Sequence, residues 1–217
     1  MENKKNKTCC CAGVRPKSFI WDYYDKKQKM HKDYLRLLEY LIEKQILNGF
    51  THFIYNGSNG ADLDFACIVI RLKRKYPFIR LELVSAYPSN SSYKHPDDHK
   101  RYQKVLNAAD QHTVLSPCFT PDCFEKQNRY MIDKSQLLFV IWDGRKIDGI
   151  NNLVRYAEKQ KKEQELLLLP PDPDKDFDAY FHYLIEGGLS LAERKKKDLA
   201  LKKLKEKLFP EQFEQSK

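Results

Sequence analysis

Short apolar runs alternate along the chain with segments of helical spacing, and this alternation predicts an α/β fold. Leu35, Leu38 and Leu41 repeat at helical intervals, whereas Leu137–Trp142 is a continuous apolar run typical of a buried central strand. The pattern predicts strands over 8–12, 52–55, 80–85, 111–115, 136–142 and 166–169, and helices over 35–46, 63–76, 98–108, 121–134 and 151–161. Six strands that alternate with helices predict a Rossmann-like three-layer sandwich, with a mainly parallel sheet and helices on both faces.

The composition changes after the proline-rich segment 170–173. Beyond it an aromatic cluster precedes the Gly187-Gly188 break, and a Lys-rich helical pattern follows. We therefore predict two parts: a nucleotide-binding domain over 1–170 and an aromatic, Lys-rich helical extension over 171–217. An amphipathic helix of this kind most often packs on protein, and a loose tail or contact with a second subunit are the alternatives.

Composition and charge narrow the class of protein. The 217 residues are 41% hydrophobic and carry a net charge of +9, so a folded core is expected and polyanions are acceptable partners. No apolar run reaches membrane-spanning length and the first residues lack a signal-peptide core, which predicts a cytoplasmic protein without membrane contact. The six cysteines fit no zinc-finger spacing, so we expect free, mostly buried thiols and no metal.

Ligands of open α/β sheets bind beyond the carboxyl ends of the strands, so the loops there hold the candidate residues. After the first and second predicted strands these are Gly13, Arg15, Pro16, Gly57, Ser58, Gly60, Ala61 and Asp62. Glycines at the start of a helix allow an anion to reach free N–H groups, and an arginine can clamp a phosphate. An ordinary Gly-rich N-cap and a surface arginine are the alternative interpretations.

Further candidates follow the fourth and fifth predicted strands: Asn128, Asp133, Trp142, Asp143, Gly144, Gly149 and Asn151. Asn128 and Asp133 are five residues apart, so they do not share one helical face closely. Trp142 at a strand end is a core aromatic or a surface for ligand stacking. The segment 148–152 before a helix is a second phosphate or ribose cradle, or else a glycine turn with an asparagine cap.

Taken in order, these motifs resemble the YpsA-like branch of the SLOG superfamily, which also includes the DprA DNA-processing proteins and the LOG phosphoribohydrolases. The resemblance covers about residues 8–169. It rests on Gly-x-Arg-Pro, Gly-x-x-Gly-Ala-Asp, Thr-Pro-x-Cys-x-x-x-x-Asn-Arg-Tyr-Met-x-Asp, Trp-Asp-Gly and the final Val-Arg-Tyr-Ala. It implies a Rossmann-like sheet that binds a nucleotide or nucleotide derivative, with NAD or ADP-ribose the usual suggestions. The chain departs from the family pattern at Val14, Gln127 and Ile150.

Three functions remain open from the sequence. A binding or sensing module for a small nucleotide ligand is favoured, because two Gly-rich loops are present and a catalytic set is not evident. A LOG-like hydrolase would need Asp62, Asp143 or Asp148 as acid or base, since 148–152 lacks the Gly-Thr and Glu of the LOG motif. DNA binding, as in DprA, is permitted by the charge but has no recognisable DNA-binding motif. A homodimer is also left open.

Overall fold

The computed structural model describes residues 7–88, 95–143, 148–175 and 177–208. It contains a six-stranded sheet with the strand order β4-β3-β2-β1-β5-β6, in which every neighbouring pair is parallel. The strands are β1 Lys7–Gly13, β2 Phe50–Tyr55, β3 Arg80–Ser85, β4 Gln111–Val114, β5 Leu137–Trp142 and β6 Glu163–Leu168. The helices are α1 Lys29–Leu47, α2 Ala61–Leu72, α3 Pro96–Ala108, α4 Cys123–Lys134, α5 Asp148–Lys159, α6 Phe177–Ile185 and α7 Leu191–Leu208.

Two hydrophobic layers sandwich the sheet, and the cysteines of β1 show how one strand serves both. Side chains alternate across a strand, so Cys9 and Cys11 pack into the layer formed with α1, α2 and α3. Cys10 points the opposite way, into the layer formed with α4 and α5. All three thiols are fully buried. The predicted Rossmann-like three-layer sandwich is confirmed.

Several predicted boundaries were wrong, and two of the differences affect the candidate residues. Helix α2 begins at Ala61 rather than at residue 63, so Asp62 belongs to its first turn. Helix α5 begins at Asp148 rather than at residue 151, so Gly149 and Asn151 are helical residues instead of loop residues. Strand β6 begins at Glu163, three residues before the predicted start, because Glu165 faces inward and is buried.

The C-terminal helices lie against α1 and the β6 edge of the sheet. The Tyr40 hydroxyl donates a hydrogen bond of 3.0 Å to Asp198 of α7. Lys44 of α1 lies 2.8 Å from the buried Glu165 carboxylate and 3.6 Å from Asp198. Arg194 of α7 also pairs with Glu165. Charged side chains from three separate segments thus hold α7 on the body of the protein.

Candidate functional site

A cleft of about 510 Å³ opens at the carboxyl edge of the sheet, beside the place where the strand order reverses. Strand β1 is flanked by β2 on one side and by β5 on the other. The sheet continues to β3 and β4 beyond β2 and to β6 beyond β5, so the order of the strands reverses beside β1. Open α/β sheets bind their ligands at such a switch point. We call this space the switch-point cleft. Its walls are the segments that follow β1 and β2, together with the first turns of α4 and α5.

Part of the predicted residue set lines the switch-point cleft. Its members come from four separate segments of the chain: Gly13, Arg15, Ser58, Asp62, Asn128 and Gly149. Pro16 lies instead in the neighbouring pocket, which Arg15 also lines. The other predicted residues for which the structure gives a position lie outside the cleft lining: Gly57, Gly60, Ala61, Asp133, Trp142, Asp143 and Asn151. Gly144 lies outside the described residues.

Gly13 and Gly60 join the segment after β1 to the start of α2. A Cβ on Gly13 would lie 2.6 Å from the Cβ of Ala61, and a Cβ on Gly60 would lie 2.4 Å from the Val14 carbonyl oxygen. Gly60 also has a φ of +79°, which side chains rarely adopt. The Ala61 N–H donates to the Val14 carbonyl at 3.0 Å. These two positions therefore require glycine for close packing of the backbone, and their role toward a ligand stays a prediction.

Three helices begin at the switch-point cleft, and each contributes the positive end of its helix dipole to the lining. Asp62 lies in the first turn of α2, Phe124 in that of α4 and Gly149 in that of α5, and all three residues line the cleft. Each helix N-terminus carries about half a positive charge. Arg15 and Lys17 are exposed side chains that add two full charges to the same lining. The Arg15 guanidinium contacts the Asn59 carbonyl at 3.4 Å.

Asp62 is the buried acid of the cleft. The residue is 2% exposed, and its side-chain Oδ1 has no hydrogen-bond partner among the described residues. Burial raises its pKa from 3.8 to about 7, because a carboxylate without water is disfavoured, while the Arg15 charge acts in the opposite direction. Near neutral pH this group is therefore poised either to accept or to donate a hydrogen bond.

Gln127 fixes the start of α4 against the sheet. Its Nε2 donates to the Asn56 carbonyl at 2.9 Å and to the Val84 carbonyl at 2.7 Å, and the residue is 4% exposed. Both hydrogens of the amide are thus used, and two carbonyls at strand ends are satisfied. The departure from the family pattern at this position therefore has a structural role. Val14 and Ile150, the other departures, are respectively buried and part of the cleft lining.

Trp142, Asp143 and Asp133 are placed differently from the cleft residues. Trp142 is half-buried and packs against both hydrophobic layers, as a core aromatic does. Asp143 follows β5 at the carboxyl edge and is buried. Asp133 lies near the other end of α4, where it is exposed and accepts a 2.9 Å hydrogen bond from the Tyr156 hydroxyl. It lies five positions after Asn128, which corresponds to a distance of about 7.5 Å along the helix axis.

A second cavity, which the sequence reasoning did not predict, adjoins the switch-point cleft. It has a volume of about 750 Å³ and shares Arg15 and Lys17 with the cleft, and we call it the aromatic pocket. Its other lining residues are Pro16, Phe19, Trp21, Asp22, Tyr23, Tyr24, Asn59 and His95. The aromatic run Phe19–Tyr24, directly after the Gly-x-Arg-Pro motif, is the signal that would have indicated it.

A buried hydrogen-bond network fixes the Tyr23 side chain of the aromatic pocket. Asp64 accepts hydrogen bonds from the Tyr23 hydroxyl at 3.0 Å and the Tyr34 hydroxyl at 3.1 Å. Arg101 of α3 pairs with the same carboxylate and donates to the Tyr23 hydroxyl at 3.0 Å. Because Asp64 is 1% exposed, these hydrogen bonds and the Arg101 ion pair replace the contact with water that its carboxylate loses on burial.

The described residues contain neither a cluster of metal ligands nor a membrane-spanning helix. Within residues 7–88, 95–143, 148–175 and 177–208, no three His, Cys, Asp or Glu side chains gather as a metal site would require. Over the same part of the chain, no helix combines the length and apolar character needed to cross a bilayer. All six cysteines are free, and four of them are buried.

Comparison with known proteins adds a family to this geometry. A family model named YpsA, described as the YspA SLOG family, matches residues 9–170. The uncharacterized SPbeta prophage-derived protein YoqJ of Bacillus subtilis (strain 168) is 29% identical over 166 residues, covering 70% of this chain and 95% of that protein. The UPF0398 protein YpsA of the same organism is 27% identical over 144 residues, covering 65% and 74% of the two chains. The chain therefore belongs to the YpsA SLOG family.

Proposed function

We propose that the protein binds a nucleotide or nucleotide derivative, such as ADP-ribose or NAD, with its phosphates in the switch-point cleft. The observation that carries the proposal is the convergence of three helix N-termini with Arg15 and Lys17 on one cleft. Backbone N–H groups at a helix start and the guanidinium fork are matched to phosphate oxygens.

Asp62 is the residue we assign to the sugar. Its carboxylate lies in the same cleft as Arg15, and Oδ1 has no hydrogen-bond partner among the described residues. A ribose hydroxyl supplies a donor for that oxygen, which removes the cost of leaving a buried acceptor unpaired. The free, mostly buried thiols fit a reducing compartment, so we place this binding in the cytoplasm.

A thermal-shift panel with NAD, ADP-ribose, AMP, ATP and a DNA oligomer tests the proposal. A ligand at 100 times its dissociation constant stabilises the folded state by about 2.7 kcal/mol. We expect such a shift with at least one nucleotide. Arg15→Ala should weaken that binding by about 1.5–3 kcal/mol, because a charged hydrogen bond is lost. Arg36→Ala, which removes an exposed arginine of α1, is the matched control and should leave it unchanged.

Two outcomes would contradict the proposal. If no nucleotide shifts the melting temperature, the cleft does not bind this class of ligand. If only DNA does so, with a steep loss of affinity as salt rises, the protein is better described by the DNA-binding alternative. Arg15→Ala affinities equal to those of the wild type would remove the role assigned to that side chain.

A second candidate function, nucleotide hydrolysis, is favoured by one observation. Asp62 is buried in the cleft with a pKa of about 7, which suits a general acid or base at neutral pH. Chromatography of each bound nucleotide after incubation with the protein tests this. Products that form with the wild type and not with Asp62→Asn would support an enzyme. Unchanged nucleotides under conditions of saturation would leave a binding module.

A further inference from the structure

The aromatic pocket and the switch-point cleft are neighbouring cavities that share part of their lining. Arg15 and Lys17 line both cavities, so a molecule that extends from one to the other must pass these two charges. The pocket volume of about 750 Å³ is within the range of small-molecule sites. A ligand with an anionic part and a flat, less polar part would match this division.

The walls of the aromatic pocket are held in place before any ligand arrives. The rings of Tyr24 and His95 stack with centroids 3.6 Å apart and planes 13° apart. The Tyr24 hydroxyl donates a 2.9 Å hydrogen bond to Asp98, which is fully buried and also accepts from the Asn59 side chain at 3.2 Å. A surface that is already ordered binds a flat ring without the cost of ordering its own side chains.

We propose that the aromatic pocket takes the heterocyclic base of the nucleotide, stacked against the Tyr24–His95 pair, while the phosphates occupy the cleft. This inference rests on the proposed function, since it assigns a place to a second part of the same ligand. Stacking between a base and an aromatic side chain strengthens binding by about 5- to 150-fold. Arg15 would then lie between base and phosphate, which agrees with its place in both linings.

A competing aromatic surface lies on the other side of the cleft. Tyr87, Phe119 and Phe124 contact one another edge to face, and Phe124 lines the cleft. Phe119 is 60% exposed and Phe124 is 47% exposed. The aromatic pocket is favoured because several aromatic side chains line it together and because the Tyr24 hydroxyl is anchored to Asp98.

Calorimetric titration with ADP and with inorganic diphosphate separates the base from the phosphates. We expect wild-type protein to bind ADP about 5- to 150-fold more tightly than diphosphate. Tyr24→Leu should reduce this preference without changing the affinity for diphosphate, and the ribose contact assigned to Asp62 accounts for any preference that remains. Tyr24→Phe keeps the ring and should retain the preference. Phe119→Leu removes one ring of the competing surface without changing the cleft lining, and it should also retain the preference.

Protein stability needs its own control, because Tyr24 is bonded to a buried carboxylate. His95→Asn is a second variant, since it removes the stacked ring while leaving an acceptor for the Asp97 N–H at the start of α3. It should reduce the ADP preference even if Tyr24→Leu does not fold. A urea unfolding midpoint for each variant identifies those that are folded.

The outcomes distinguish this inference from the proposed function. Equal affinities for ADP and diphosphate in the wild type would overturn the base site and leave the phosphate site standing. Loss of the ADP preference in Phe119→Leu, with full retention in Tyr24→Leu and His95→Asn, would place the base on the competing aromatic surface and overturn the inference. Absence of binding by either ligand would overturn the proposed function and the inference with it.

Discussion

Replacement of Asp62 by asparagine should stabilise the folded protein at neutral and alkaline pH. The two side chains have nearly the same shape, but asparagine cannot ionise. Asp62 lies in the first turn of α2 and is 2% exposed, and burial raises its pKa from 3.8 to about 7. The folded state therefore holds a proton that the unfolded chain releases near pH 4.

The magnitude follows from this difference in pKa. About three pKa units at about 1.36 kcal/mol each correspond to about 4 kcal/mol. Since the folded pKa is raised, the stability contributed by protonated Asp62 is fully present below pH 4 and is lost as the pH rises to about 7. The wild type should therefore lose stability relative to the asparagine variant, by about 2–3 kcal/mol between pH 5 and pH 7.5.

Urea unfolding of both proteins at half-unit pH steps from 5 to 8.5 measures this difference. Other titrating groups are common to both proteins, so their effects cancel in the comparison. The free energy of unfolding of the variant minus that of the wild type should rise with pH and level off above pH 7. A difference that is flat over this range, or that falls with pH, would refute the burial and pKa assigned to Asp62.

Four further substitutions test the packing around the site. Gly13→Ala places a methyl carbon 2.6 Å from the nearest α2 side chain and should lower the free energy of unfolding by about 1–3 kcal/mol. The added methyl group of Gly149→Ala meets nothing within 4 Å, so this variant should be close to neutral. Equal melting temperatures for the two variants would contradict this difference in packing. Gln127→Leu leaves two strand-end carbonyls without their donor and should lower unfolding stability by about 2–3 kcal/mol, so wild-type stability in urea would be the unexpected result. Arg101→Met leaves the buried Asp64 carboxylate without its charged partner and should cost about 3–5 kcal/mol; a smaller loss than that of the exposed Arg36→Ala would count against the buried pair.

The sheet was predictable because its local patterns carry the information. A continuous apolar run predicted the central strand β5. The start of β6 was not predictable in this way. Glu165 looks like a surface residue, but partners from α1 and α7 stabilise it in a buried position. Those partners are remote in sequence, so no local pattern reveals them.

The candidate site was predictable where it depends on strand topology. Arg15, Asp62 and Gly149 were assigned from the rule that carboxyl ends of strands form sites, and the structure brings all three to one cleft. Their binding role stays a prediction. The aromatic run Phe19–Tyr24 could have indicated the aromatic pocket, but the contacts that support it could not be predicted. One of them joins Arg101 to Tyr23, which are 78 residues apart in the sequence.

Calorimetric titration of ADP-ribose into the wild type, Arg15→Ala and Arg36→Ala is the most direct test of a phosphate site in the switch-point cleft. Arg15 and Arg36 are both exposed arginines, but only Arg15 lines the switch-point cleft. We expect saturable binding by the wild type and by Arg36→Ala. The affinity of Arg15→Ala for ADP-ribose should be weaker by about 10- to 150-fold. Equal affinities for all three proteins, or no binding by the wild type, would contradict a phosphate site in this cleft.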